Sequence, residues 1–410
     1  MKNRNYTGFL WHAIFLSLTT TFTEVNTVIP ALILSIGGSS IHVGIVSAIV
    51  IGLPVVTKLF FSSFLSSRKM KKPFLLLGIN LRILALISIA STLVFYKSFS
   101  FFTIIILLYL ELLIFSVGGA FASLPYVYLL GGFQRETRIK FFTKRQMISS
   151  LGMLLSVITA RYILSKWGYP TQYVILFSLS AISLFIASFG FWIVKEQPGV
   201  PVKKVSIFNI LKDLPNLLKK DKDFFYFLIY SNIMGAALAL IPFYIGYAKE
   251  MLTPDSSILG SALFVQIMGM FVSSFIYPKM INKKGFKGVL KLRVVLHSCL
   301  PILAILIVNT GSIIGYLSVF FLIGFAISAR AVSENATLIE LSTDENRVIY
   351  SALAGTLNIS IIVFPLLLGF FISLFGYTPI FITSTIITLL AFPVLKLLKC
   401  PIDTKGINKI

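Results

Sequence analysis

Acidic residues are scarce in this chain, with 14 Asp and Glu against 36 Lys and Arg in 410 residues, and charged residues of both signs make up only 12%. So little charge beside 57% hydrophobic residues excludes an ordinary soluble globular domain. Cysteine is nearly absent: Cys299 lies in an apolar stretch and Cys400 in a basic tail, so a disulfide framework is not expected and no metal or redox spacing exists. No Gly-rich loop ending in Lys-Ser or Lys-Thr occurs, which excludes direct ATP hydrolysis of the P-loop type. No nucleophile–base constellation has local support, and the polar loops are too short to hold a catalytic domain. The reading is of a protein that is not an enzyme and needs no cofactor or metal.

Long apolar runs take the place of these features. Twelve spans are expected, at about 8–34, 41–65, 73–95, 100–127, 141–164, 171–194, 223–248, 257–280, 287–308, 312–337, 347–374 and 377–398. Each is long enough as helix to cross about 30 Å of hydrocarbon. Helix is required because lipid offers no partner to open backbone groups, and barrel-type alternation is missing. Pro54, Pro125, Pro242, Pro301 and Pro365 fall inside spans and mark expected bends. The first apolar run, after Met1-Lys2-Asn3-Arg4, continues to about Ile36; it is too long for a cleaved leader and reads as a retained first helix.

The net charge of +22 is distributed as membrane topology, not as a nucleic-acid surface. One set of loops carries Arg68, Lys69, Lys71 and Lys72, then Arg135, Arg138, Lys140, Lys144 and Arg145, then Lys195 to Lys222, then Lys279, Lys283, Lys284 and Lys287. The alternate loops hold only Lys97, Lys166 and Lys249. The positive-inside rule places both termini and the central loop in the cytoplasm of a cell that carries this protein in its plasma or inner membrane. The expected organisation is a first bundle at 1–195, a linker at 196–222, a second bundle at 223–399 and a tail at 400–410. Within the linker, Ile207, Ile210, Leu211, Leu214, Leu217 and Leu218 recur at helical spacing among lysines. That pattern predicts an amphipathic helix lying on the anionic inner leaflet; because Pro215 interrupts it, a flexible basic linker is the alternative.

A basic loop is written twice, about 215 residues apart: Ser66-Ser67-Arg68-Lys69-Met70-Lys71-Lys72 and Ile281-Asn282-Lys283-Lys284-Gly285-Phe286-Lys287. A second echo pairs Glu136-Thr137-Arg138 with Glu345-Asn346-Arg347, an acid and an Arg two apart at a helix start. With twelve spans in two halves, the chain resembles the major facilitator superfamily over almost its whole length. The resemblance implies an all-α membrane fold of two pseudo-symmetric six-helix bundles. It also implies gating roles for Ser67, Arg68, Lys72, Asn282, Lys283, Gly285, Glu136, Arg138, Glu345 and Arg347. The family's loop carries an acid that resembles a latch for the outward-facing state. Ser67 and Asn282 stand in its place here, which implies a gate closed differently. The fourth-helix Arg of proton-linked exporters is absent too, since Ile114 and Phe115 precede Gly118 and Gly119 at that spacing.

Ionisable groups at membrane depth are costly and mark candidate sites. Glu24 lies midway along the first span, and Ser17, Thr20, Glu24 and Thr27 share one face at helical spacing. It is read as a proton-coupling or substrate-contacting carboxylate, or else a structural one paired to a neighbouring base. Lys58 and Arg82 are the counter-ions of Glu24 and Glu111, or the holders of an anionic substrate group; Glu111 is a second protonation candidate. Arg330, Glu334 and Asn335 cluster on the tenth span, with Arg330 and Glu334 one turn apart. Asn232, Gln266, His297 and Asn358 are polar groups that either line a cavity or bridge helices.

The function expected is secondary active transport by alternating access around a midplane site, with a small-molecule substrate, a proton and the bilayer as partners, by a monomer that binds no nucleic acid. Proton-coupled export of amphipathic compounds is the first expectation, from spans rich in Phe, Ile and Leu. Uptake or exchange of a small organic anion held by Lys58, Arg82 or Arg330 is the second, and a transporter-like sensor or lipid scramblase the third.

Overall fold

The computed structural model describes residues 2–131, 135–196, 198, 207–252, 257–342, 350, 353–355 and 357–399. Regular structure among them is entirely helical. In chain order it runs α1 (Lys2–Phe22), α2 (Val28–Ser35), α3 (Ser40–Ser47), a π-turn (Ala48–Gly52), α4 (Leu53–Ser66), α5 (Lys72–Val94), α6 (Phe101–Gly131), α7 (Arg135–Lys166) and α8 (Thr171–Ile193). It continues with α9 (Ile207–Lys220), α10 (Lys222–Ala239), α11 (Phe243–Leu252), α12 (Ser257–Val308), α13 (Ile313–Leu341), α14 (Ser360–Phe375), α15 (Tyr377–Leu389) and α16 (Ala391–Leu397).

Ten stretches among the described residues are long and apolar enough to cross a membrane. The longest, Ile258–Val308, is two helices joined at Gly285, whose φ of 62° and ψ of −176° are non-helical. That φ lies in the left-handed region, which a Cβ-free residue tolerates. The expected first span is present as the separate helices α1 and α2. Phe60, Phe102, Leu155 and Ile314 stand exposed among many other large apolar side chains. On a soluble protein such a surface would drive association; on this multi-pass membrane protein it is the lipid face.

The chain divides into two compact units. One comprises Met1–Gly38, Val46–Ser206 and Ser256–Gly260, and the other Ser39–Ile45, Ile207–Asp255 and Ser261–Ile410. In the first unit, α1 packs on α7 and α8, and α5 packs on α6 and α8. In the second, α10 packs on α14, α15 and α16. Here α9 forms as a helix, and Leu214, Leu217 and Leu218 lie against the apolar core of Phe224, Leu290, Val294 and Leu395. Those three leucines lie partly against protein, and the side chains of Ile207, Ile210 and Leu211 on the same face lie outside the described residues.

The twice-written basic loop has the same mechanical part in both units. Lys72 Nζ donates to the carbonyls of Trp192 (2.9 Å) and Val194 (2.6 Å) at the end of α8. The equivalent Lys287 donates to the Leu398 carbonyl just past α16. A cation at a helix C-terminus satisfies open carbonyls and opposes the helix dipole. The start of each unit's first long helix ties down the same end. Asn5 Oδ1 accepts from the Lys195 amide at 2.9 Å, and Asp223 Oδ1 accepts from the Lys399 amide at 2.6 Å.

An acid does stand at the first loop, supplied from elsewhere in the chain. Glu196 accepts the Lys71 and Lys72 amides at 2.7 and 2.8 Å, capping the N-terminus of α5. Ser67 bonds the Phe64 carbonyl at 2.9 Å, and the Arg68 guanidinium lies 4.5 Å over the Phe64 ring. Asn282 and Lys283 are exposed. Glu345 and Arg347 lie outside the described residues, as do the side chains of Glu136, Arg138 and Asn335.

Candidate functional site

The first transmembrane segment unwinds where its carboxylate sits. α1 ends at Phe22 and α2 begins at Val28, with Glu24 between them. The expected helical stripe of Ser17, Thr20, Glu24 and Thr27 therefore stops short of Glu24. The physical reason is that the carboxylate captures local donors in place of the helical pattern. Glu24 Oε2 accepts from the Asn26 amide and the Thr27 hydroxyl, both at 2.8 Å, and Oε1 accepts from Asn26 Nδ2 at 2.9 Å. Thr27 is fully buried, so Glu24 is its built-in acceptor. Asn26 Oδ1 is left buried without a hydrogen-bond partner.

A cavity of about 330 Å³ opens beside this break, lined by Thr20, Thr23, Glu24, Val25, Val50, Pro54, Lys58, Arg82, Phe115, Ser116, Gly119 and Ala120. It brings together Thr20, Glu24, Lys58 and Arg82, four residues singled out in the sequence. Each element supplies its group through an irregularity. The second segment makes a π-turn at Ala48–Gly52, immediately before Pro54, and then presents Lys58. Single-turn π-bulges of this kind gather at functional sites. Arg82 reaches the cavity across Gly118 and Gly119 of α6, where α5 and α6 pack closely. A Cβ at Gly118 would sit 3.2 Å from Arg82 Cγ, and one at Gly119 would sit 3.6 Å from Arg82 Nε. The guanidinium stacks 4.4 Å from the Phe115 ring centroid, and its Nε is buried with no hydrogen-bond partner. α6 lacks the expected family arginine, but α5 brings one to the same face of α6.

Glu111 belongs elsewhere. Its Oε1 accepts Ser88 Oγ at 2.6 Å and Thr92 Oγ1 at 2.8 Å, bridging α6 to α5 outside the cavity lining. Arg82 is thus a cavity residue and not the counter-ion of Glu111.

In the second unit two further helix breaks appear. The segment of α10 and α11 opens at 240–242, around Pro242, and the one leading into α14 opens at 357–359. Asn232 serves the latter break: its Nδ2 donates to the Leu357 carbonyl at 2.9 Å, and its Oδ1 accepts the Ser360 amide at 3.3 Å. Asn358 Oδ1 accepts Ser360 Oγ at 2.9 Å. Asn232 thus ties α10 to this break, whereas the Asn358 contact lies within its own turn. Gln266 is fully buried, with neither side-chain polar atom bonded. Arg330 Nε meets Glu334 Oε2 at 2.7 Å as the one-turn spacing predicts, and Arg293 Nη1 lies 3.8 Å from the same oxygen. Buried His297 is one turn from Arg293.

Sequence reasoning missed Asn26, Ser116, Glu196 and Arg293. Arg293 had a signal, a cation seven residues into an apolar run whose basic loop ends nearby; Asn26, beside Glu24, had one as well.

The profile of the Major Facilitator Superfamily matches residues 10–358. The chain belongs to the major facilitator superfamily. No curated protein sequence matches it. Among solved structures it is similar to a point variant of the nucleoside transporter NupG, at 14% identity and a TM-score of 0.67, covering 97% of this chain and all of that one. It is also similar to a bacterial homologue of the iron transporter ferroportin, at 13% identity and a TM-score of 0.69 with the same coverage. A POT-family transporter in complex with 5-aminolevulinic acid matches at 13% identity and a TM-score of 0.67, over 97% of this chain and 96% of that one. At such identities the likeness concerns the fold. This superfamily member is a membrane transporter and not an enzyme. Its discontinuous helices at 23–27 and 240–242 are the feature that transporter binding sites share, because unwound backbone is tolerated at membrane depth only where protein or a water-filled cavity satisfies it.

Proposed function

We propose that this protein is a proton-linked symporter of a small organic anion that carries an apolar part, working by alternating access as a monomer in the cell membrane with both termini cytoplasmic. The observation that carries this reading is the charge count of the first-unit cavity, where Lys58 and Arg82 share walls with the single carboxylate of Glu24. Protonating Glu24 removes the negative neighbour of two cations, so the cavity holds an anion more tightly. By linkage, a bound anion then favours the proton on Glu24 equally. Proton and anion bind together and travel in the same direction, which under an inward proton gradient means uptake.

Export of amphipathic compounds has one observation in its favour, the apolar wall of Val25, Val50, Pro54, Phe115 and Ala120. Exchange of cargo for a proton, however, requires the two to compete for Glu24. That competitor would be a cation, and Lys58 and Arg82 repel cations. The apolar wall fits equally well the hydrocarbon portion of an organic anion. The similar structures named for a nucleoside, for iron and for 5-aminolevulinic acid differ too much in cargo to choose among classes.

The test is a thermal-shift screen of small carboxylates, organic phosphates and amphipathic cations on the purified protein, at mildly acidic and mildly alkaline pH. Anions should stabilise more at acidic pH, and Glu24→Gln should abolish that pH dependence. Stabilisation by cations that strengthens at alkaline pH would overturn the reading in favour of exchange.

A further inference from the structure

The second unit holds a cluster of permanent charge that the cavity above does not use. Arg293, in the part of α12 beyond Gly285, is 1% exposed. Its Nη1 lies 3.8 Å from Glu334 Oε2, beyond hydrogen-bond range, while Arg330 Nε takes that same oxygen at 2.7 Å. Nε and Nη1 of Arg293 are both buried without a hydrogen-bond partner. One turn along, the buried His297 ring bonds the Ala237 carbonyl and leaves Nε2 buried without a partner. The Tyr230 ring centroid is 6.0 Å from the Arg293 guanidinium, at the far limit of a cation–π contact.

Two guanidiniums therefore share one carboxylate oxygen, and the nearer one has taken it. A guanidinium cannot shed its proton, so the two cations divide one carboxylate and the cluster carries one positive charge more than Glu334 neutralises. A buried charge that is incompletely paired is strongly unfavourable. The cluster also has an open and a closed end: Arg330 and Glu334 keep 29% and 22% of their side chains exposed, against 1% for Arg293.

We propose that the cluster is an anion-binding site, in which the carboxylate or phosphate group of a ligand enters past Arg330 and engages the unpartnered Nε and Nη1 of Arg293. Glu334 is then the internal competitor, an anion that the ligand replaces at Arg293. The site stands on its own residues and does not require the first-unit reading to be correct. A soluble organic anion and an anionic lipid headgroup offer the same chemistry, so the experiment separates them.

Binding of benzoate and of inorganic phosphate is measured by calorimetry on the full chain in nanodiscs of zwitterionic lipid, and thermal stability is compared in nanodiscs with and without phosphatidylglycerol. Glu334→Gln removes the competitor and should tighten one soluble anion by about tenfold or more, or, if the source is lipid, should enlarge the stabilisation by phosphatidylglycerol. Arg293→Gln should abolish the effect that Glu334→Gln enhances. Should Arg293→Gln fail to fold, Glu334→Gln decides the matter alone. Anion response unchanged or weakened in Glu334→Gln overturns the proposal. Loss in Arg293→Gln of the response that Glu334→Gln enhances supports this site.

Discussion

Replacing Glu24 tests whether the break in the first transmembrane segment is held by hydrogen-bond count or by charge. Glu24→Ala removes the acceptor for three donors: the Asn26 amide, Asn26 Nδ2 and the Thr27 hydroxyl. Thr27 and Asn26 are buried, so water does not readily replace the lost partner. At about 1–3 kcal/mol for each buried donor left unpaired, the alanine variant should lose roughly 3–9 kcal/mol. Glu24→Gln behaves differently because of its neighbour. A glutamine oxygen in the Oε2 position still accepts from the Asn26 amide and the Thr27 hydroxyl. Its NH₂ would then face Asn26 Nδ2, donor against donor, unless the Asn26 amide turns over. Asn26 Oδ1 is free to make that turn, since it is buried without a partner in the native arrangement. All three bonds then survive in number, each weakened from charge-assisted to neutral. The expected loss is roughly 1–3 kcal/mol, taking about 1 kcal/mol per bond at most.

The check is thermal unfolding followed by intrinsic fluorescence, on both single variants and on Glu24→Gln combined with Asn26→Ala. Both changes act on the one bond between the two side chains, and Asn26→Ala also removes the opposing donor, so the combined loss should be smaller than the sum of the two single losses. If glutamine is as damaging as alanine, or the combination is simply additive, the carboxylate's charge and not its bonding pattern holds the break. Hydrogen-bond count would then be the wrong explanation for the unwound turn.

Two further outcomes follow from single contacts. Glu340 lies just past the apolar stretch Ile313–Leu338, with both carboxylate oxygens buried and unpartnered, and burial pushes its carboxyl from 4.5 up to about 7. A carboxyl raised in the folded state contributes stability below its unfolded value and loses it as pH rises through the folded one. Melting temperature should therefore decline between about pH 4.5 and 7, and Glu340→Gln should flatten that slope. Lys72→Met and Lys287→Met each remove a cap from the end of the last helix of their unit. Each should lower the melting temperature by a few degrees and speed proteolysis just after Ile193 or Leu397, respectively; a change confined to Lys72→Met would show that the two loops are not mechanically equivalent.

How much of this was legible in the sequence depended on which physical rule governed each residue. Membrane-crossing helices follow from hydropathy alone, because lipid leaves the backbone no other partner, and the spacing of Arg330 and Glu334 translated directly into an ion pair. The grouping of Glu24, Lys58 and Arg82 was legible as a set of costly charges at membrane depth, although which charge met which was not. Glu111 shows why: two hydroxyls on a neighbouring helix outbid a distant cation, and Ser88 and Thr92 carry no mark in the sequence that distinguishes them from other hydroxyls. The helix break at Glu24 escaped periodicity for a related reason. A carboxylate flanked by Asn26 and Thr27 can satisfy itself locally, and the 3.6-residue pattern has no term for that competition. Glu196 fell outside any motif because the acid that caps α5 is contributed from beyond α8, and nothing at Ser67 itself points to it. These failures share a direction. Each arose where a polar side chain found its partner on another helix or in its own turn, and those are the places where a transporter departs from straight apolar helices. In the first unit the departures from the sequence pattern lie beside the cavity charges: Glu24 sits in the break at 23–27, and the π-turn before Pro54 adjoins Lys58.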